Sequence, residues 1–168
     1  MRFKRFVLLI AWAALSYPHS AFPATEGEKA PEVSGKLLSG EKFSTEDYSG
    51  EVVVLHFWAS WCATCKVEMP ILNAYLKKHR NEGLRIVVLS VDKKNDEPAA
   101  LEIIKKYDFP AALARDASFV GYGRIWRLPL TFVIDRKGIL RKDGWTLPHA
   151  LSESDLDAVI LPLLKGSS

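Results

Sequence analysis

Seven consecutive residues, Val52-Val53-Val54-Leu55-His56-Phe57-Trp58, are apolar or aromatic with one exception, His56. A strand with one face in water alternates polar and apolar residues. This one does not, so both of its faces need cover. That places it at the centre of a sheet with a layer on each side. A second run of the same kind follows, Leu84 to Val91 (LRIVVLSV). Two such strands separated by a helix-length segment predict a partly parallel sheet.

The remaining elements are read from the punctuation between apolar runs. Val33 to Phe43 (VSGKLLSGEKF) predicts a short hairpin around Ser39-Gly40, and Asp47, Ser49 and Gly50 mark a turn. A helix is expected from about Cys62 to His79, kinked by Pro70 and ended by Gly83. A second is expected from Glu97 to Tyr107, capped by Asp96 with Pro98 in its first turn. Ala111 to Ala114 reads as a short strand and Leu130 to Ile134 as a longer one. Asp135 to Gly138 is a turn, and Ile139 to Trp145 returns as its hairpin partner. Ser152 to Leu164 is a last, amphipathic packing helix, with Ser152 as cap and Asp155 three residues on. A βαβ start joined to a ββα end gives an α/β sandwich with a mixed sheet.

The first residues are of another kind. Arg2, Lys4 and Arg5 precede an apolar run from Phe6 to Leu15, and a small-residue stretch ends at Ala24. Basic start, short apolar core and polar exit predict a signal peptide over 1–24, with one domain over 25–168 and a loose polar leader at 25–32. The run is short for a permanent membrane anchor. Ala21 and Ala24 are candidate cleavage points, but His19 and Phe22 stand two positions before them, where such sites carry a small residue. An uncleaved, tethered form is therefore the alternative. The chain holds 23 Lys+Arg and 20 Asp+Glu. Without the three basic residues of the segment the balance is 20 against 20, which gives no reason to expect nucleic acid as a partner.

Both cysteines of the chain, Cys62 and Cys65, lie in FWASWCATCKVEMP, three positions apart. Exported proteins use cysteines to close long loops. A bridge here closes almost nothing, and its entropic effect is correspondingly small. A zinc site needs about four ligands, and the histidines at 19, 56, 79 and 149 show no ligand spacing. Redox chemistry remains. A cysteine at a helix N-terminus is held as thiolate by the free N–H groups and the helix dipole. Cys62 is then the nucleophile. Cys65, one turn deeper, resolves the mixed disulfide. Trp61 shields Cys62 and offers a flat apolar contact to a partner chain.

The same segment resembles the active-site stretch of the thioredoxin superfamily, in its exported TlpA-, ResA- and CcmG-type branch. Glu68 and Pro70 match that branch's C-x-x-E-x-P tail, and Leu128 to Asp135 (LPLTFVID) resembles its LPTTFLID strand. The segment from about Asp92 to Ala114 is similar to the branch's insertion, and the likeness runs from Val33 to Leu164. It implies a thioredoxin-like fold and a thiol–disulfide oxidoreductase. Catalysis would rest on the Cys62–Cys65 dithiol alone, with no added cofactor or metal. It implies that Pro129 is a cis proline beside the disulfide, presenting the backbone of Leu128 to a substrate strand. Glu68 would relay protons to or from Cys65, the plainer alternative being a solvated helix residue. Implied partners are protein disulfides, apocytochrome c among them, and a DsbD/CcdA-like membrane reductant donor; the implied compartment is the periplasm.

Three positions depart from the family pattern. His56 stands where thioredoxin has a buried aspartate and many exported relatives an asparagine. It is expected to be a core histidine satisfied by hydrogen bonds, the alternative being an imidazole that accepts a proton from Cys65 or, when charged, favours a thiolate. Leu130 replaces a threonine. Trp126-Arg127 stands where small residues are common. Asp143, Trp145 and the basic residues between 136 and 142 are expected in an exposed hairpin serving solubility. Three other readings stay open: a disulfide-donating oxidant, a protein binding copper(I) through the two thiolates, and a non-catalytic binding module with a vestigial disulfide.

Overall fold

The computed structural model describes residues 24–146 and 151–166. The expected signal segment up to residue 23, with its cleavage points other than Ala24, and His149 lie outside them. Among the described residues no helix is long and apolar enough to cross a membrane.

Seven strands form one sheet in the order β2-β1-β5-β4-β3-β6-β7. The central strand β3 (Val52–Trp58) is buried at every position. It pairs in parallel with β4 (Leu84–Ser90) and antiparallel with β6 (Leu130–Ile134). β5 (Ala111–Ser118) runs parallel to β4. The hairpin β1 (Ser34–Leu37) and β2 (Lys42–Ser44) adds one edge, and β7 (Leu140–Lys142) adds the other. Helix α1 (Ala63–His79) links β3 to β4, and α2 (Glu97–Ile104) lies between β4 and β5. The last helix, α3 (Glu153–Lys165), follows β7.

The apolar residues of β3 sort by pleat. Val52, Val54 and Trp58 join Leu84, Ile86 and Val88 of β4 against side chains of all three helices. Val53, Leu55 and Phe57 point the other way, into a cluster with Phe132, Tyr122, Val33 and Phe43. Helices therefore cover one face. Irregular segments on either side of the hairpin and after β5 cover the other.

Several expectations are corrected. α2 ends at Ile104, and the Asp96 side chain makes no capping bond. β5 runs on to Ser118, because β1 pairs with its outer half at Ala117 and Ser118. The segment 25–32 is no loose leader: Gly27 N and Ala30 N donate to the carbonyls of Leu140 and Gly138, and Leu140 N donates to Glu28 O. The hairpin around 136–145 is not a solvated ornament. The Arg136 guanidinium donates to the carbonyls of Gly50, Glu82 and Leu164, and Arg141 Nε donates to Asp135 Oδ2 at 2.6 Å. Trp145 is half-buried, with Nε1 donating to Tyr122 O at 3.1 Å. The Ser152 cap is present as expected, in a reciprocal capping box with Asp155.

Candidate active site

Strand β3 ends at Trp58, and within a few residues the chain turns into α1. Cys62 is the N-cap of that helix, and its Sγ accepts the N–H of Cys65 at 3.2 Å. The two sulfurs are joined in a disulfide with Cα atoms 5.3 Å apart. Cys62 is 8% exposed and Cys65 0%, so the first sulfur is the one a partner can reach. Trp61 beside it is 62% exposed.

What fixes the turn is Asp92, at the end of β4. It is buried, and its carboxylate accepts Ser60 N at 2.9 and 3.1 Å, Ser60 Oγ at 2.6 Å and Ser90 Oγ at 2.6 Å. Sequence reasoning did not single out Asp92. Its signal is weak: an acidic residue directly after a buried parallel strand, where sites on such sheets gather.

The β6 strand delivers the second side of the site. Its first residue, Leu130, pairs with Phe57 near the end of β3. The Leu128–Pro129 peptide just before it is cis, and the pairing of Leu130 with Phe57 puts Pro129 at the sheet edge where the cysteines lie. Leu128 is half-buried and packs against the cluster that contains Cys62 and Cys65.

Behind the disulfide lies a buried polar group. Glu68 is buried, which excludes the solvated alternative, and its Oε1 accepts Leu151 N at 2.6 Å. Its Oε2 lies 3.9 Å from His56 Nδ1. Burial pushes the Glu68 carboxyl up to about 7, against the lowering effect of the Leu151 N–H. Burial likewise pushes the His56 imidazole down to about 3. Between those values both groups are neutral, and the contact is not an ion pair. His56 Nδ1 is within 2.9 Å of Thr131 Oγ1, directly across the strand pair. Its Nε2 and Glu68 Oε2 have no hydrogen-bond partner among the described residues. The expectation of a fully satisfied core histidine therefore holds for one nitrogen only.

Chemically, the arrangement offers a disulfide with one accessible sulfur at a helix N-terminus. One turn behind it stands a carboxyl that titrates near neutrality. Known proteins resemble this chain over most of its length. A family model described as AhpC/TSA matches residues 26–143. Thiol-disulfide oxidoreductase ResA of Bacillus cereus is 32% identical over 144 residues, which is 81% of this chain and 82% of that protein. Thioredoxin-like protein YneN of Bacillus subtilis is 32% identical over 118 residues, 69% of each. The crystal structure of a thiol:disulfide interchange protein of the thioredoxin family from Chlorobium tepidum superposes with a TM-score of 0.68 at 25% identity. It covers 84% of this chain and 98% of its own.

Proposed function

We propose, for a chain that belongs to the AhpC/TSA family and is a thiol–disulfide oxidoreductase of the ResA kind, that it works as a reductase of protein disulfides in an exported compartment. The Cys62 thiolate attacks one sulfur of a substrate disulfide. A mixed disulfide forms and one substrate thiolate leaves. Cys65 loses its proton, attacks Cys62 Sγ, and expels the second substrate thiolate. Two electrons pass to the substrate, and Cys62–Cys65 is left as the disulfide. Glu68 takes the Cys65 proton and returns it on re-reduction, a task suited to a carboxyl poised near pH 7. Leu128, ahead of cis-Pro129, offers backbone to an extended substrate segment, and Trp61 flanks the attacked sulfur.

The observation that supports the reducing direction is that, beyond the helix N-terminus itself, little holds the Cys62 sulfur as an anion. Its Sγ accepts one N–H, from Cys65. The group behind the pair is the Glu68 carboxyl, which offers no positive charge to hold a thiolate. A strong oxidant needs a stabilised reduced form, and this site supplies little of that. The signal-like residues 1–24 support export. In an oxidising compartment the pair must be recharged, by a membrane thiol donor of the DsbD/CcdA kind. Apocytochrome c, with its paired haem-binding thiols, is the substrate we favour.

Equilibration in thiol–disulfide buffers, followed by tryptophan fluorescence, tests the direction. A reductant is expected near roughly −270 mV, the value of thioredoxin. A potential near about −120 mV would make it a disulfide donor instead. Absence of a two-electron transition would end the redox reading and call for copper(I) titration of the two thiols.

A further inference from the structure

Two tryptophans of this chain stand in water at the same end of the sheet. Trp61, 62% exposed, is on the loop leaving β3, and Trp126, 75% exposed, is on the loop leaving β5. Trp126 also lies two residues ahead of Leu128 and the cis peptide. Two exposed rings at the end of the sheet that carries the reactive sulfur form a surface a partner can use.

The Trp126 ring is nevertheless held in place. It stacks on Trp145, with ring centres 5.4 Å apart and planes 24° apart. Trp145 is pinned by its Nε1 on Tyr122 O at 3.1 Å and by its backbone N on Asp143 Oδ1 at 3.0 Å. The Arg127 guanidinium lies 5.3 Å from the Trp145 ring centre, and donates to the carbonyls of Gly144 and Trp145. One face of Trp126 is thus used inside the molecule, and the ring loses little freedom when something covers it. Ordered, exposed tryptophans are what protein contacts are built around.

The charge nearby narrows what covers it. Lys66 in the first turn of α1, Lys93 and Lys94 after β4, and Arg124 two residues before Trp126 are all exposed. Of the carboxylates at this end, Asp92 is held by Ser60 and Ser90, Asp143 by Trp145 N and Glu97 by Arg115, while Asp96 and Asp116 are exposed and unpaired among the described residues, so the four cations outnumber the free carboxylates two to one. A cationic side chain would meet repulsion here. A neutral aromatic ring flanked by acidic residues would not.

We infer that the Trp126–Trp145 stack is a docking face for an aromatic side chain of the polypeptide whose disulfide is exchanged. It selects substrates with an aromatic residue close to the reacting cysteine and acidic residues around it. This rests on the oxidoreductase acting on polypeptides, as proposed above.

The test uses the reduced full-length protein and two disulfide-bonded peptides, identical except for Phe or Ala beside the cysteine, in acidic sequence. Exchange rates are followed by stopped-flow fluorescence. The Phe peptide is expected to react roughly three- to tenfold faster, the range an aromatic pair supports. Trp126→Phe keeps the preference, because it keeps a ring. Trp126→Leu and Trp126→Ala bring the ratio of the two peptides close to one. Equal rates for the two peptides on the unmodified protein, or a preference that survives Trp126→Leu, would overturn the inference. Exchange of the unmodified protein with 2-hydroxyethyl disulfide separates the two readings. If that small disulfide reacts and the peptides are not distinguished, only the docking face is wrong. If nothing reacts, the redox proposal itself falls.

Discussion

Glu68 and His56 are two ionisable side chains in one dry core, 3.9 Å apart, and they make opposite demands on pH. Their polar contacts are Thr131 on β6 and the Leu151 N–H ahead of α3; Cys65, three residues before Glu68 on α1, does not titrate as a disulfide. Glu68 binds its proton up to about 7 in the fold and up to 4.5 when unfolded. Its contribution is therefore present below 4.5 and lost as pH rises to about 7. His56 stays neutral down to about 3 in the fold but protonates below 6.5 when unfolded, so its contribution is lost as pH falls through that window. Between 4.5 and 6.5 the folded and unfolded chains bind one proton each at this pair, and the two slopes cancel. Urea unfolding of the oxidised protein should show little pH dependence from this pair there. In Glu68→Gln, stability should rise with pH across that window, by about 1.4 kcal/mol per unit. In His56→Asn it should fall with pH by about the same. A flat profile in His56→Asn would mean that Glu68 is ionised in the fold. Little of this was legible in the sequence. The C-x-x-E spacing put Glu68 on the right helix, but its depth depends on Leu151 coming over it, 83 residues further along the chain. His56 announced itself as the polar exception in a buried strand. That only one of its nitrogens finds a partner follows from Thr131 lying opposite it in β6.

At the scale of elements, the legible parts are those whose signal is carried by side-chain pattern. β3, β4 and β6 were readable from unbroken apolar runs, and α3 from Ser152 with Asp155. The unreadable parts bond largely through backbone: the segment at 25–32 against β7, where Glu26 adds a side-chain contact to Lys142, and the outer half of β5 against β1. The site itself joins three elements. α1 supplies both sulfurs, with Cys65 fully buried and Cys62 at the rim. From that asymmetry, Cys65→Ser should accumulate a mixed disulfide with substrate polypeptide, visible on a non-reducing gel. Cys62→Ser should trap none. Equal trapping by both variants would put the attack on the wrong sulfur. β4 contributes the clamp. Asp92→Ala leaves the Ser60 N–H and the Ser90 hydroxyl without their acceptor, a loss of about 1–3 kcal/mol in urea unfolding. Because Ser60 N is two residues from Cys62, slower exchange with substrate should accompany the lost stability. Unchanged exchange in that variant would mean that the clamp serves the fold alone.

For the molecule as a whole, the site lies where the strand order dictates. β3, β4 and β5 are parallel, so the loops that follow them emerge at one edge, carrying the cysteines, Asp92 and Trp126 together. The sequence could place the cysteines at that edge, because they follow the central strand directly. It could not place Trp145, which reaches the edge only through the turn at 135–138 and the upward run of β7. The direction of electron flow is also a property of the whole molecule, since a disulfide's potential and the fold's stability are two sides of one cycle. If folding favours the disulfide, the oxidised chain is the more stable and the pair is a reductant. If folding favours the dithiol, the order reverses and the pair is an oxidant. A link across three residues removes little freedom from the unfolded chain, about 2 kcal/mol by the loop-closure relation. The oxidised form should therefore unfold at higher urea than the dithiol form, by about that free energy, with each form held in its redox state by buffer or alkylation-free anaerobic handling. A dithiol form more stable than the disulfide would contradict the reductase proposal without reference to any substrate. It would do so even if the thiol exchange itself proved fast.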